Sequence, residues 1–417
     1  MNTPRPPLLT LDQALPDLLA RAQPLGHEEL VPTFEADGRV LTQDVVAQLQ
    51  VPPQDNSSMD GYAVRCADTQ ASSAVLHVTQ RIPAGSQGQP LQAGQAARIF
   101  TGAPIPPGAD AVVMQEDTQD LGQGQVQVNI TPTPGQFIRR SGEDITRGST
   151  VLKSGTRLGP AHLGLAASLG LAHLSVATRP RVALLSTGDE LVMPGTVTPD
   201  QMPPGAIYNS NRFFLRALLE RMGCVVSDLG LVPDQLGATQ QALSQAAQHH
   251  DLILTSGGVS VGEEDHIKPA VQSLGELHLW ALAIKPGKPF AHGSIRRDQN
   301  SGAGLCHFMG LPGNPVSSFI TFLLLVRPFL LRMQGATQVE PIRRQMRADF
   351  NWPKPDRRRE FLRARVNPQG GLDVFPNQSS GVLTSVVWGD GVIDLPAGAT
   401  LRQGDSVQFI SFSDWLA

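Results

Sequence analysis

The amino-acid sequence predicts a multidomain α/β plus β protein. Its parts are a central doubly wound α/β domain, a β-rich N-terminal domain, a discontinuous helical segment and a β-barrel-like C-terminal domain. Between residues 181 and 332, apolar strand-like runs alternate with helix-like runs, which is typical of a parallel sheet covered by helices. On both sides of that region, short β-rich runs are separated by many of the chain's 41 Gly and 34 Pro residues, which is typical of β domains.

Composition narrows the class of protein. Hydrophobic residues make up 41% of the chain, enough for substantial cores, and the net charge of −4 gives no sign of a nucleic-acid partner. The three cysteines are isolated and fit neither a disulfide framework nor a zinc site. The N-terminus lacks the pattern of a signal peptide, and the longest apolar run, residues 319–326, is too short to span a bilayer. We therefore expect a soluble cytoplasmic protein without membrane partners.

In the N-terminal part, the sequence predicts one helix followed by a β domain. Thr10 and Gln13 form a capping-box pattern before a helix over residues 11–22. From about residue 27 to residue 145, short β-rich runs alternate with Gly/Pro turns, and Pro160 suits the start of a helix. The expected strands include residues 38–41, 95–100, 110–114 and 125–130.

The central part alternates regularly between strands and helices. The predicted strands are residues 182–185, 225–229, 252–255, 278–284 and 305–309. The predicted helices are residues 211–222, 236–248, 267–273 and 316–331. Ligands of such a sheet bind at the carboxyl ends of its strands, where the loops 186–190, 256–265 and 312–317 would lie. After about Pro341 the sequence is β-rich again, which indicates a small barrel or sandwich.

The loop between the last central strand and its helix has the composition of an anion site. Its residues are Pro312, Gly313, Asn314 and Pro315. Pro315 suits a first helical turn, and Gly313 lets the backbone approach a ligand. The free N–H groups of residues 316–318 and the helix dipole would then favour a negative charge. A plain strand-to-helix connection is the alternative interpretation.

The other two loops have a similar composition. Ser186, Thr187 and Gly188 can offer hydroxyls and amides to a phosphate, while a hard cation could bridge Asp189 and Glu190 to it. These two acids could instead cap a following turn. In the second loop, Gly257 and Gly258 leave room for a ligand, Ser260 offers a hydroxyl, and Asp265 could hold a metal or position water.

Two further segments are ambiguous by themselves. Lys285 and Lys288 flank a Pro-Gly turn and would form an anion clamp if both faced the cleft, although surface lysines are commoner. Asp60 and Gly61 form an ordinary turn pair.

Taken together, these segments resemble the molybdopterin molybdenumtransferase family, MoeA, whose eukaryotic relatives include the E domain of gephyrin. The resemblance covers nearly the whole chain and weakens after Pro341. It rests on NSSMDGYAV, RIFTGAPIPPGADAVVMQED, IRRSGEDITRG, LSTGDEL, YNSN, SGGVSVGEED, IKPGKPF and GLPGNPVSSF, in that order along the chain.

This resemblance implies an elongated homodimer of four-part chains. The implied parts are a helical domain of residues 7–26 and 145–178, a β domain of residues 27–144, an α/β domain of residues 179–332 similar to molybdopterin adenylyltransferase, and a C-terminal β domain of residues 333–417. The implied reaction inserts molybdate into adenylylated molybdopterin, hydrolysing the adenylyl link with Mg²⁺ and releasing AMP. The implied partners include the adenylyltransferase and molybdoenzyme-maturation proteins.

The resemblance also implies roles for single residues. The implied catalytic residues are Asp60, Thr101, Asp144, Glu190 and Asp265. The implied metal ligands are Glu190, Asp234 and Asp265, although Gln235 departs from the acidic residue often found next to Asp234. The implied molybdate ligands are Lys285, Lys288, Arg363 and Ser380. The implied pterin and nucleotide contacts are Ser186, Thr187, Gly188, Asp189, Gly257, Gly258, Ser260, Pro312, Gly313, Asn314 and Pro315.

Two other functions are compatible with parts of the sequence. An adenylyltransferase would share the α/β domain but would not need the N-terminal half. A gephyrin-like scaffold would tolerate loss of the two lysines and of Asp265, which are all present.

Overall fold

The computed structural model describes residues 8–71, 73–258, 266–297 and 304–416. The first helix spans Leu11–Arg21, and its predicted capping box is confirmed by the reciprocal hydrogen bonds of Thr10 and Gln13. Leu11, Ala14 and Leu18 are buried in the same apolar core as the α/β domain. The structure therefore corrects the predicted grouping of this helix with residues 145–178.

A small discontinuous domain lies next in the chain. The strand Glu28–Pro32 pairs antiparallel with His173–Ala177, and Val45–Val46 pairs with Thr150–Leu152. The helix Pro160–Ser168 packs beside them, and Val31, Leu41, Ile145, Leu158 and Val176 are among the buried core residues. Because a strand is held by its partner, residues 28–46 belong with residues 150–177, which corrects the predicted boundary at residue 27. The run 38–41 forms only isolated bridges, at Val40 and Leu41.

The β domain is built on a six-stranded sheet. Its strands, in spatial order, are Ala111–Met114, Gly61–Val64, Gln95–Ile99, Ala74–Ile82, Gln125–Val128 and Thr118–Gly122. A separate pair joins Asn56–Ser57 to Ile138–Arg139. Gly61 is required by strand packing rather than by a turn, since a Cβ there would lie 1.9 Å from the carbonyl oxygen of Val113.

The α/β domain confirms the predicted strands and helices but not an all-parallel sheet. Its strands, in spatial order, are Val225–Val232, Arg181–Thr187, Leu252–Ser256, Leu305–Leu311, Pro289–Arg296 and Gly275–Ala281. Pro289–Arg296 runs antiparallel to both of its neighbours, so the sheet is mixed. This strand was missed in the sequence because residues 284–290 were interpreted only as a lysine-bearing turn. The covering helices are Ser210–Arg221, Leu236–His249, Ile267–Leu274 and Pro315–Met333.

The last of these helices is the central apolar element of the protein. It consists of Pro315–Thr321, a π-helical turn at Phe322–Val326, and Arg327–Met333. By length and composition alone it could cross a membrane, with a mean hydropathy of 1.6, but 89% of that stretch is buried inside the protein. It therefore serves as a core helix. Its core includes Phe361, Ile410 and Trp415 of the C-terminal domain.

The C-terminal domain is β-rich, as predicted. Its sheet contains Ile284–Lys285, Arg359–Val366, Gly391–Leu395, Ser406–Ser411 and Arg344–Arg347 in that order, with Leu372–Val374 beside Arg359–Val366. Two short helices, Thr384–Trp388 and Phe412–Leu416, accompany it. Leu372 also bridges Ala348, directly after Arg344–Arg347, so the short strand Leu372–Val374 connects the two ends of the described pairing, in agreement with the predicted barrel-like form.

A buried histidine and a half-buried one lie on the antiparallel side of the α/β sheet. The ring centroids of His292 and His307 are 5.9 Å apart, and both rings contact Phe329. Neither ring nitrogen of His292 has a hydrogen-bond partner among the described residues. Burial lowers the pKa of His292 to about 3, with a further contribution from His307, and burial lowers the pKa of His307 to about 4. Both rings are therefore neutral near pH 7.

We predict that this histidine pair makes the protein acid-sensitive. Below pH 6.5 the two histidines become protonated in the unfolded chain but stay neutral in the folded protein. These two groups therefore lower the free energy of unfolding by up to about 2.7 kcal/mol for each unit by which the pH is lowered. His292→Leu should roughly halve that part of the slope between pH 6 and about 4. Urea unfolding across this pH range would measure it, with the exposed His173→Leu as the composition control. An unchanged slope in His292→Leu would contradict the assignment.

Candidate functional site

A polar cleft opens at the carboxyl edge of the α/β sheet. Its volume is about 650 Å³, which is within the usual range for small-molecule sites. The three loops predicted from the sequence contribute to its wall. The described lining residues from these loops are Thr187, Glu190, Ser256, Gly257, Gly258, Pro312, Gly313, Asn314, Pro315 and Ser317. The prediction that these loops meet at one edge of the sheet is therefore confirmed by the geometry.

Glycine backbone geometry shapes the first loop. Gly188 has a φ of +129°, and a Cβ there would lie 2.5 Å from a carboxylate oxygen of Glu190. Glycine at this position therefore lets the Glu190 carboxylate fold back over the loop. Glu190 is also one of the residues that line the cleft. The side chain of Asp189, the other acid of this loop, is exposed.

Asn211 joins three of the segments that form the cleft. It lies in the first turn of Ser210–Arg221, and its Nδ2 donates to the Ser256 Oγ and to the Gly313 carbonyl oxygen, both at 2.7 Å. Because a carbonyl oxygen only accepts, the contact with Gly313 fixes which side of the amide carries the nitrogen. The side chain is 8% exposed, so these hydrogen bonds are largely shielded from water.

Several buried polar atoms around the cleft have no hydrogen-bond partner among the described residues. They include the Asn211 Oδ1, the Ser186 Oγ, the Asn209 Nδ2 and the Ser318 Oγ. Buried polar groups usually find a partner, and each unpaired one costs stability. Their position in and behind the cleft wall is consistent with a site that binds a polar ligand.

The N-terminus of the helix behind the cleft differs from the prediction. The N–H of Val316 donates to the Ser380 carbonyl oxygen at 3.0 Å, and the N–H of Ser318 donates to the Asn314 carbonyl oxygen at 2.9 Å. Two of the three amides expected to be free are thus already bonded. The first of these bonds brings a loop of the C-terminal domain to the cleft, where Gly381 forms part of the wall.

The predicted metal ligands are only partly brought together. Glu190 lines the cleft, and Asp234 follows Val232, the register partner of Thr187, so both acids lie at the same sheet edge. Asp265 and Ser260 lie outside the described residues. In the part of the chain that is described, no group of three His, Cys, Asp or Glu side chains is arranged to hold a metal.

One lysine of the predicted anion clamp, Lys285, already forms ion pairs with two carboxylates of the protein. The Lys285 Nζ lies 2.8 Å from a Glu360 oxygen and 3.2 Å from an Asp356 oxygen. Burial works to lower the pKa of Lys285, but the Glu360 and Asp356 contacts outweigh it, so the pKa is raised. Lys288 is exposed and lines a smaller cavity of about 490 Å³ with Asp356 and Arg358. Neither lysine belongs to the described lining of the main cleft.

Arg363 is a buried cation at the border between the last two domains. Its side chain is 1% exposed and donates to the Ser385 Oγ and to the carbonyl oxygens of Phe361 and Ser379. Burial lowers the pKa of Arg363 to about 10, so it remains charged at neutral pH. All three acceptors are uncharged, and Ser379 adjoins the predicted ligand Ser380.

In the β domain, the structure brings together Asp60 and Thr101, two of the residues to which the resemblance implies a catalytic role. The Asp60 carboxylate accepts hydrogen bonds from the Thr101 backbone N–H at 2.8 Å and from the Thr101 hydroxyl at 2.7 Å. These two bonds hold the pKa of Asp60 below its usual range. Asp144 is exposed, and its N–H donates to the Val51 carbonyl oxygen.

The fold and the cleft define a class of multidomain proteins with a ligand-binding α/β domain between two β-rich parts. Three family models match consecutive parts of this chain: the MoeA N-terminal region, domains I and II, over residues 9–170, a probable molybdopterin binding domain over residues 183–332, and the MoeA C-terminal region, domain IV, over residues 345–412. The chain belongs to the molybdopterin molybdenumtransferase family.

Individual relatives agree with this placement. The molybdopterin molybdenumtransferase of Haemophilus influenzae is 41% identical over 371 residues, covering 88% of this chain and 89% of that protein. Gephyrin of Dictyostelium discoideum is 32% identical over 78% of this chain and 49% of its own length. A crystal structure of the molybdopterin biosynthesis MoeA protein from Pyrococcus horikoshii has a TM-score of 0.82 at 29% identity, covering 97% of this chain and 100% of that one.

The sequence reasoning missed the role of Asn211. The YNSN segment was noted as part of the resemblance, but the spacing gave no reason to connect it with loops 45 and 102 residues further along the chain. A second asparagine two residues after the first at a helix start was the available signal, since Asn209 alone suffices as the N-cap of that helix.

We predict that Asn211→Ala loosens the cleft. The substitution removes two buried hydrogen bonds and leaves the Gly313 carbonyl oxygen without that donor, which should lower the free energy of unfolding by about 1–3 kcal/mol. Denaturant unfolding of the variant measures this loss, with Asn129→Ala at an exposed site of the β domain as the control. Equal stability of Asn211→Ala and wild type would show that the amide does not hold the loops together.

Proposed function

We propose that this chain transfers molybdenum to molybdopterin, accepting adenylylated molybdopterin and molybdate, hydrolysing the adenylyl link and releasing AMP. The observation that carries the proposal is the polar cleft at the carboxyl edge of the α/β sheet, in a chain that belongs to the molybdopterin molybdenumtransferase family. Molybdenum cofactor synthesis follows as its biological role.

The cleft suits the organic substrate. Backbone groups of Gly257, Gly258 and Gly313 lie in its wall without side chains that would keep a phosphate away. The unpaired Asn211 Oδ1 and Ser186 Oγ offer hydrogen-bond acceptors and a hydroxyl to a ligand rich in N–H groups, such as a pterin. The Thr187 side chain, also in the wall, is a further candidate contact.

The proposed molybdate site lies where the C-terminal domain meets the cleft. Molybdate is a dianion, and the buried Arg363 guanidinium, bonded only to neutral acceptors in the described part of the chain, would favour it. The hydrogen bond from Val316 to Ser380 fixes the loop that carries the serine at the cleft rim. For Lys285 to take part, the oxyanion would have to compete with Glu360 and Asp356.

Mg²⁺ fits the donor set of the cleft in part. This ion favours oxygen ligands and commonly uses one or two carboxylates together with phosphate oxygens and water. Glu190 in the cleft wall and Asp234 at the same sheet edge are the carboxylates that would hold it. When bound, Mg²⁺ would neutralise charge on the phosphate groups. Asp265 is the third proposed ligand.

The protein's own part in the reaction is to position substrates and exclude water. Hydrolysis of a phosphoanhydride depends on orientation and charge stabilisation, which hydrogen-bond donors of a rigid loop can supply. A covalent nucleophile is not required. The three cysteines are free and buried, and burial raises the pKa of both Cys66 and Cys306 to about 12, so they are poor candidates for that role.

We also propose a cytoplasmic homodimer. The buried thiols fit a reducing compartment, and the discontinuous domain exposes large apolar side chains that a second copy could cover. Phe34 is fully exposed and Leu30 is 70% exposed. The Asp60–Thr101 pair lies on a different sheet from the cleft, which fits a site completed by two chains.

We predict that Glu190→Gln lowers molybdenum transfer about tenfold or more, because the neutral amide is a weaker metal ligand than a carboxylate. The assay measures AMP release from adenylylated molybdopterin with Mg²⁺, with and without molybdate, and metal-bound pterin in the product. Glu276→Gln, on an exposed edge of the same sheet, is the control.

The wild-type result tests the function itself. Molybdate-dependent AMP release with metal-bound pterin would support the transferase. Adenylylation of free molybdopterin by ATP would contradict it in favour of the adenylyltransferase reaction. A folded protein with neither activity would contradict both enzymatic functions and favour a scaffold role.

A further inference from the structure

Two arginines lie directly opposite each other on the β-domain sheet. Arg81 in Ala74–Ile82 is the register partner of Arg98 in Gln95–Ile99, and Arg98 is in turn the partner of Tyr62 in Gly61–Val64. Register partners on neighbouring strands share a sheet face at a backbone spacing of about 4.8 Å. Like charges in that arrangement repel each other and destabilise the sheet.

An aromatic ring holds both guanidinium groups. The Arg81 and Arg98 guanidinium carbons lie 4.5 Å and 4.6 Å from the centroid of the Phe100 ring. The Arg98 carbon is also 5.3 Å from the Tyr62 ring centroid. Cation–π contacts favour each arginine separately, but they supply no negative charge that would offset the repulsion between the two.

The described β domain does not provide that negative charge by a direct ion pair. Between residues 51 and 144, apart from residue 72, the ion pairs join Arg65 to Asp68 and Arg140 to Asp55. Neither Arg81 nor Arg98 takes part in one of these. A pair of cations kept together at a cost in stability, without a carboxylate in direct contact among the described residues, is the arrangement expected of a site for an external anion.

One of the two arginines is rigidly placed, and the other is accessible. The Arg98 Nη1 donates to the Gly61 carbonyl oxygen at 2.8 Å, and its Nη2 donates to the Gln115 Oε1 at 2.7 Å. The Arg81 side chain is exposed at the end of its strand. A ligand could therefore approach Arg81 from solvent and meet a fixed second charge beside it.

The arginine pair adjoins Asp60 and Thr101. Thr101 directly follows Phe100, and Asp60 directly precedes Gly61, whose carbonyl oxygen binds Arg98. The positive charge of Arg98 acts on the Asp60 carboxylate from this position, in addition to the two Thr101 hydrogen bonds. A ligand held by the arginines would thus lie near a fixed carboxylate and hydroxyl.

We propose that Arg81 and Arg98 bind the phosphate groups of a small molecule on the face of the β-domain sheet. Guanidinium groups are planar forks of donors that match phosphate oxygens, and stacking on an aromatic ring fixes their orientation. Resting on the proposed function and on the proposed homodimer, the ligand is the phosphoanhydride of adenylylated molybdopterin, held between the α/β cleft of one copy and the β-domain sheet of the other.

Direct binding tests the site without any assay of activity. The full chain is titrated by calorimetry with pyrophosphate, and separately with AMP, at low ionic strength. Arg81→Gln should weaken the binding about tenfold or more. Arg81→Lys should have an intermediate affinity, because lysine keeps the positive charge but lacks the planar set of guanidinium donors. Binding of pyrophosphate in preference to AMP would identify the phosphoanhydride as the recognised group, and the reverse would identify the nucleotide monophosphate. Arg65→Gln, which removes a β-domain charge already paired with Asp68, is the control. Equal affinity in wild type and Arg81→Gln, or no binding to wild type, would overturn the proposal.

Thermal unfolding separates this role from a structural one. Because Arg81→Gln removes a like-charge contact, the variant's melting temperature without ligand should equal or exceed that of wild type. The same variant should lose the rise in melting temperature that pyrophosphate gives the wild-type protein. A lower melting temperature together with an undiminished rise on adding pyrophosphate would show that Arg81 serves only the fold.

Kinetics separates failure of the site from failure of the proposed function. In the transfer assay, Arg81→Gln should raise the KM for adenylylated molybdopterin about tenfold or more and leave the KM for molybdate unchanged. Wild-type protein that binds pyrophosphate through Arg81 but transfers no molybdenum would contradict the function and leave the phosphate site standing. Wild-type transfer with an unchanged KM in Arg81→Gln would contradict the site and leave the function standing.

Discussion

The buried amide of Asn211 is the contact on which the cleft depends. The three loops at the sheet edge follow different strands, and the Gly257 N–H, bonded to the Leu311 carbonyl oxygen, joins the bases of two of them. Asn211 donates to both Ser256 and Gly313 from the start of its own helix, so one side chain ties two of the loops to a third segment. Such bonds are worth most where water is excluded, and this side chain is almost completely buried. The loops can therefore present glycine backbone to a ligand without collapsing onto one another.

A second constraint places the C-terminal domain at the same cleft. The apolar helix Pro315–Met333 lies in a core shared by the first helix, the α/β sheet and Trp415 near the C-terminus. At the N-terminal end of this helix, the Val316 N–H donates a hydrogen bond to the Ser380 carbonyl oxygen. Arg327 also connects this helix to later parts of the chain, because its buried guanidinium donates to the carbonyl oxygens of Trp415 and Val339. Ser380 consequently lies beside the cleft although it is far from it in sequence, and Arg363 donates to the carbonyl oxygen of the neighbouring Ser379.

Local structure could be predicted because its causes are local. The Thr10–Gln13 capping box, the helices after each central strand and the loops at one sheet edge all follow from short-range patterns. Pairing between distant segments left no such pattern. No residue near the strand Glu28–Pro32 indicates that it pairs with His173–Ala177. Likewise, no residue in Pro289–Arg296 indicates that this strand runs antiparallel to its neighbours in the sheet. No sequence pattern indicated that Lys285 would be neutralised, because Glu360 lies 75 residues further along the chain and reaches it only through the pairing of two distant strands.

Hydrogen–deuterium exchange with bound ligand tests most directly whether the Asn211-braced cleft is the substrate site. Exchange of the full chain would be compared with and without adenylylated molybdopterin, in the presence of Mg²⁺ and the absence of molybdate. Our account predicts ligand-dependent protection of residues 186–191, 256–258 and 312–316, with little change in the outer strands of the C-terminal sheet. Saturated binding without protection of these three segments would contradict the placement of the substrate in this cleft.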